Sequence, residues 1–142
     1  MVKIEIEGLD ELRKKFAQFP DQYKAVMAAT LGASLDTLTE SVPPYPPANP
    51  DSSYIRTGTL GRSLGAGGRP DIYEQKIGAK MAEATWGTRV EYAPYVIGEK
   101  EQAKAHNGRW YTILTIAGKA RPKIERLFEI ATEKLAKWLN EQ

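Results

Sequence analysis

The sequence has no cysteine. That excludes disulfides, thiolate zinc sites and cysteine nucleophiles, and it fits folding in a reducing compartment. There is a single histidine, His106, so a two-histidine zinc site is excluded. A Ser-His-Asp arrangement would have to use that histidine, and no GxSxG elbow carries the serine. No apolar run approaches the roughly 18 residues of a membrane span. The opening, MVKIEIEGLDEL, lacks the charged head and apolar centre of a signal peptide and reads as the start of a folded domain. Charge of one sign is lacking as well. Twenty basic residues stand against 18 acidic ones, for a net +2, short of the clustered excess of a dedicated nucleic-acid binder. The carboxylates are scattered over helix and strand faces, where they read as solvated surface. Composition thus points away from an enzyme and implies no cofactor, no metal and no catalytic residue.

What is present is a patterned chain of 142 residues, a length that favours one domain over 1–142 and buries a core without staples. Val2, Ile4 and Ile6 alternate with Lys3, Glu5 and Glu7, the period of a half-buried strand. Leu9, Leu12, Phe16 and Phe19 recur at helical spacing, and Pro20 ends that short helix. Tyr23, Met27, Leu31, Leu35 and Leu38 form one stripe of a longer helix that starts near Asp21 and ends near Ser41. Ile72–Ala79 and Glu83–Val90 alternate and make an antiparallel pair joined at about Lys80–Ala82. Tyr92, Tyr95 and Val96 share one face of a single helical turn. Glu99–Arg109 is polar and loop-like, and Trp110–Ile116 fits either a strand or the start of a helix. His106, in that polar loop, reads as a solvated residue. Pro122 suits the first turn of a C-terminal helix whose stripe is Ile124, Leu127, Phe128, Ala131, Leu135, Trp138 and Leu139. The sum is α+β: a small, mostly antiparallel sheet packed by two or three helices, with a long C-terminal helix.

Residues 42–70 interrupt the pattern. VPPYPPANP, from Val42 to Pro50, holds five prolines in nine residues and can be neither helix nor central strand. It is expected to run extended. YIRTGTLGRSLGAGGRP, Tyr54 to Pro70, follows with five glycines, three arginines and no acid. It resembles a phosphate loop at a glance. However, none of its glycines precedes Lys-Ser or Lys-Thr, and no strand leads into it as a dinucleotide fingerprint requires. Either it is a solvated loop or it is a strap that orders against a partner, since a loop this long is seldom a mere connector. In the second case Arg56, Arg62 and Arg69 make the contacts, with Tyr45, Tyr54 and Tyr73 beside them. Deletion of Pro43–Pro50 is then expected to harm assembly more than monomer folding. Tyr92, Tyr95, Trp110 and Tyr111 either pack as core under the Glu99–Arg109 loop or face a neighbouring subunit. Trp86 and Trp138 are expected in the core.

Three pieces in order carry a family resemblance: VKIEIEGLDEL (Val2–Leu12), Thr57-Gly58-Thr59-Leu60-Gly61-Arg62-Ser63, and Tyr92-Ala93-Pro94-Tyr95-Val96 followed by His106-Asn107-Gly108-Arg109-Trp110. Together with the proline-started C-terminal helix, this resembles the neck and tail-completion proteins of long-tailed bacteriophages and prophages, the minor tail or head–tail joining components. One departure is that the family often places arginine directly after the leucine of TGxL, where this chain has Gly61 and then Arg62. The resemblance implies a non-enzymatic virion protein, assembled in the bacterial cytoplasm, that forms a ring at the head–tail junction. The implied partners are further copies of itself, commonly in sixfold rings, the tail terminator, and the head-closure or stopper protein. Contact with the tail tube or tape-measure end, and non-specific contact with DNA in the channel, belong to the same picture. The candidate interface residues are Tyr45, Tyr54, Arg56, Thr57, Gly58, Leu60, Arg62, Arg69, Tyr92, Tyr95, Arg109 and Trp110. The alternatives are a tail terminator or head–tail adaptor ring, a nucleic-acid module working through the arginine loop, and a small hydrolase using His106.

Overall fold

The structure is a computed structural model and describes residues 1–6, 14, 17–48, 50–51, 56–78 and 82–142. β1 (Val2–Ile6), β2 (Ile72–Ile77) and β3 (Ala82–Gly87) form an antiparallel sheet in the order β1-β3-β2. Val2 and Tyr73 flank Trp86 in register, and Ile4 and Gln75 flank Ala84. Directly opposed residues share a face of a sheet, so both rows lie on one side. Ala82, Ala84 and Trp86 are buried there. The fold is α+β, and the alternation in the sequence finds all three strands.

Four helices accompany the sheet among the described residues: α1 (Pro20–Glu40), α2 (Thr59–Ser63), α3 (Ala93–Ile97) and α4 (Ile113–Asn140). The short helix expected over Leu9–Phe19 falls largely outside the described residues. α1 starts with Pro20 in its first turn, where the missing amide costs nothing, and Asp21 sits near the positive end of the helix dipole. Tyr23, Met27, Leu31, Leu35 and Leu38 are buried as the stripe requires. Thr30, Ser34 and Thr37 are buried too, on a second side. Their hydroxyls donate to the carbonyls four residues back, each at 2.8 Å, which satisfies them internally. α1 can therefore pack both on β2 and β3 and on α4.

Two sequence expectations are corrected. α4 does not begin at Pro122; it begins at Ile113, and Pro122 lies inside it. Thr112 supplies the start signal, because its hydroxyl accepts from Thr115 N–H at 3.2 Å while the Thr115 hydroxyl accepts from Thr112 N–H at 3.3 Å. Pro122 deprives the Gly118 carbonyl of its usual donor, but both residues are exposed and water can serve that oxygen.

The second correction concerns the Gly-rich stretch, which is not an open loop throughout. It contains α2, and Leu60, Ser63, Leu64 and Pro70 are buried. Ser63 bonds Thr88 through their hydroxyls at 2.6 Å, and its carbonyl accepts from Asp71 N–H at 2.8 Å. The stretch is thereby fastened to the end of the sheet. Gly65 closes this unit at φ +107°.

Trp86 is fully buried, and its Nε1–H donates to the Thr39 hydroxyl at 3.0 Å. A Cβ on Gly65 would stand 2.6 Å from Thr39 Cγ2. Gly65→Ala therefore combines backbone strain with pressure on the Thr39–Trp86 bond. We expect it to cost about 2–3 kcal/mol in urea unfolding. Gly67→Ala, at φ +78° but with open space around its Cβ, should cost only the strain, about 1 kcal/mol. Equal losses at the two positions would show that Thr39 yields freely.

Candidate functional site

The proline run supplies carbonyls but few amides, so it cannot hydrogen-bond to itself and must take donors from elsewhere. Arg56 is the main donor. Its Nη1 donates to Pro46 O at 2.5 Å and its Nη2 reaches Pro47 O at 3.5 Å, a distance at the limit of a bond. Arg109 Nη2 adds a donation to Pro47 O at 3.0 Å. The Arg56 guanidinium also lies over two rings, 5.6 Å from the Tyr45 centroid and 5.3 Å from that of Trp110, a favourable cation–π position. Tyr45 and Trp110 are themselves in tilted contact at 5.0 Å.

Tyr45 is fixed at its far end as well. Its hydroxyl accepts from Gly61 N–H at 2.6 Å. A Cβ on Gly61 would come within 3.1 Å of that oxygen, so glycine permits the close approach of α2 to the ring. The strap therefore orders against its own chain: Val42 and Tyr45 pack on the core, and Arg56 ties down the prolines. The alternative of a solvated loop is corrected accordingly.

These contacts enclose a cleft of about 340 Å³. It is lined by Tyr45, Ala48 and Arg56–Leu60 from the strap and α2, and by Tyr92, Val96, Ala105, His106, Arg109 and Trp110 from α3 and the segments beside it. Residues far apart in sequence meet here because α2 hangs from the strap while α3 anchors through buried Ala93 and Ile97. Of the candidate residues, Tyr45, Arg56, Thr57, Gly58, Leu60, Tyr92, Arg109 and Trp110 come together in the cleft. Arg62 turns away, donating to Thr57 O at 3.0 Å. Arg69 lies just before β2, its guanidinium 4.8 Å from the ring of Tyr73 on that strand. Tyr95 is 61% exposed and is not part of the lining. Tyr54 lies outside the described residues.

The cleft also contains Ala48 and Ala105, which carry no signal in the sequence, and Thr59, Val96 and His106, which belong to the motif pieces but were not among the candidate interface residues. His106 is not a freely solvated loop residue. It is half-buried and meets Trp110 edge-on at 6.0 Å. The spacing of His106 and Trp110, four residues apart, was the available signal, and Trp110 N–H closes that turn on His106 O at 2.9 Å. The four aromatics around the loop divide. Tyr111 is buried, Trp110 is half-buried, and Tyr92 and Tyr95 are exposed. Trp86 is core, while Trp138 is half-buried against Phe19, edge to face at 4.9 Å.

Tyr111 underlies the cleft, its ring 5.7 Å from Trp110. Its hydroxyl is buried and has no hydrogen-bond partner among the described residues. Burial, with a smaller contribution from Tyr45, pushes its pKa up to about 12.

Two outcomes follow from this arrangement. Arg56→Lys keeps the charge but loses the planar fork and the stacking; it should destabilise by about 1–2 kcal/mol and Arg56→Ala by about 2–3 kcal/mol in urea unfolding. Wild-type stability in the lysine variant would mean that the fork does not hold the strap. Tyr111→Phe removes a hydroxyl without a partner among the described residues and should be neutral or stabilising by about 1 kcal/mol. The folded pKa of Tyr111 lies above the usual 10. Its contribution is therefore complete below pH 10 and is lost as pH rises toward 12. Absorbance titration at alkaline pH should show Tyr111 ionising last, a final step that Tyr111→Phe abolishes. If all tyrosines ionise together while the protein is still folded, the hydroxyl is not buried as described.

Comparison with family models, with curated proteins and with solved structures finds no match for this chain.

Proposed function

We propose that this chain is a non-enzymatic structural subunit of the neck of a long-tailed bacteriophage or prophage, and that it forms a ring that completes the tail at the head–tail junction. One observation carries the reading. Two of the three motif pieces of the resemblance, Thr57–Ser63 and Tyr92–Val96 with His106–Trp110, contribute residues to the lining of one cleft. Motifs remote in sequence that build a single surface feature are what a docking site requires. Exposed Tyr92 and Tyr95 beside it supply the aromatic surface common at protein interfaces. The partners are further copies of the chain, the tail terminator and the head-closure protein, in the virion. A terminator or adaptor role in an adjacent ring uses the same surface chemistry.

The arginine loop gives less support to a nucleic-acid module. Arg56 serves the proline run, Arg62 the Thr57 carbonyl, and Arg69 the Tyr73 ring, so the three are committed to separate places within the fold.

Native mass spectrometry and negative-stain microscopy of the purified protein, alone and with its tail terminator, test the proposal. Closed rings, or rings that appear on adding the terminator, are expected. A protein that stays monomeric and joins neither tails nor virions overturns it.

A further inference from the structure

The cleft beside Trp110 has a distinctive charge balance. Arg56, Arg109 and His106 line it, and among the described residues that line it there is no carboxylate. The ion pairs among the described residues lie elsewhere, on Lys3, Arg89, Arg121, Lys123 and Arg126. Arg109 is exposed, and among the described residues its side chain makes one bond, to Pro47 O. A guanidinium has five N–H donors, so most of them have no partner among those residues.

Its size and lining narrow the ligand further. At about 340 Å³ it is at the small end of ligand sites and suits one or two side chains. Ala48, Leu60, Val96 and Ala105 make the lining partly apolar, and Tyr92 stands 43% exposed on its wall. A stacked nucleobase fits poorly, because stacking needs an open ring face. Trp110 is already enclosed by Arg56 at 5.3 Å, Tyr45 at 5.0 Å, Tyr111 at 5.7 Å and His106 at 6.0 Å. What remains is an apolar slot with a cation at its rim, the arrangement of an interface hot-spot pocket.

We infer that the cleft receives an aromatic or large aliphatic side chain of a partner protein, with a neighbouring carboxylate of that partner taken by the Arg109 fork. The inference rests on reading the cleft as a docking site. It specifies the chemistry of the segment that docks, an acidic residue next to an apolar anchor. Arginine pairs with carboxylates in a bidentate manner, and the absence of a competing acid in the described lining leaves that capacity to the partner.

N-acetyl-phenylalaninate is the minimal probe, since it joins one ring to one carboxylate. It would be titrated into the full-length protein and followed by two-dimensional amide and indole NMR. Binding on the order of millimolar is expected from so small a ligand. Shifts should be confined to residues 45, 56–60, 92, 96 and 105–110. N-acetyl-phenylalanine amide and acetate should each bind at least about fivefold more weakly, because each lacks one of the two recognised groups. Arg109→Glu, at an exposed position, should keep the dispersed spectrum of the folded protein and erase the preference for the carboxylate. Equal binding of the amide, shifts spread over the surface, or tighter binding of a thymidine hexanucleotide at the cleft each overturn the inference. Rings seen by microscopy with no probe preference would leave the neck reading standing and remove this one. Probe binding to a protein that never leaves the monomer would do the reverse.

Discussion

A run of prolines is a row of hydrogen-bond acceptors with few donors of its own. It can be held in place only by a donor-rich group from outside the run, and arginine, with five donors and no acceptor, is the complementary side chain. In this protein Arg56 fills that role, and the geometry of the cleft depends on it. Its fork takes the Pro46 and Pro47 carbonyls while its flat face covers Tyr45 and Trp110. One side chain therefore fixes the strap, the strap's tyrosine and Trp110. A lysine in its place could supply charge but not these directions at once.

The clamp works only because both parts of the lining are tied to the same core. The chain of contacts runs from Trp86 in β3, through the Thr39 hydroxyl on α1, to the close approach of Gly65 after α2. Ser63 joins α2 to Thr88 at the end of β3. The lining around α3 is seated by Ala93 and Ile97, which are nearly fully buried, and by Gln102, whose amide donates to Val96 O at 2.7 Å. Small hydroxyl residues on α1 make this economy of packing possible. They satisfy themselves on their own helix and leave a thin second face for burial. Among the described residues the cost falls on the Tyr111 hydroxyl, which is buried there without a hydrogen-bond partner.

Periodicity made the strands, α1 and most of α4 legible in the sequence, because each repeats one burial rule over many residues. Where the outcome depended on a single local bond, periodicity was silent. The start of α4 was set by the Thr112–Thr115 exchange, whereas the more conspicuous Pro122 lies inside the helix. α2 was hidden because glycine is a poor helix former, and its burial is decided by Leu60 and Leu64 reaching the core. Much of the candidate site was nonetheless visible. Aromatic and arginine residues drew attention by type, and the motif pieces by order. Ala48 and Ala105 carry no chemical signal and become part of a site only through the fold. His106 was misjudged for the related reason that its burial comes from Trp110, a neighbour across a turn rather than along a stripe.

Gly61 shows how one local constraint redistributes charge. The tail-completion pattern that the sequence resembles places arginine after the leucine of TGxL, but here the Tyr45 hydroxyl sits so close to Gly61 that any Cβ would crowd it at 3.1 Å. The arginine one position later, Arg62, donates to the Thr57 carbonyl and is not part of the cleft's lining. Arg56 is committed to the prolines. The cationic character of the cleft's open side therefore falls to Arg109, which reaches it from the loop after α3.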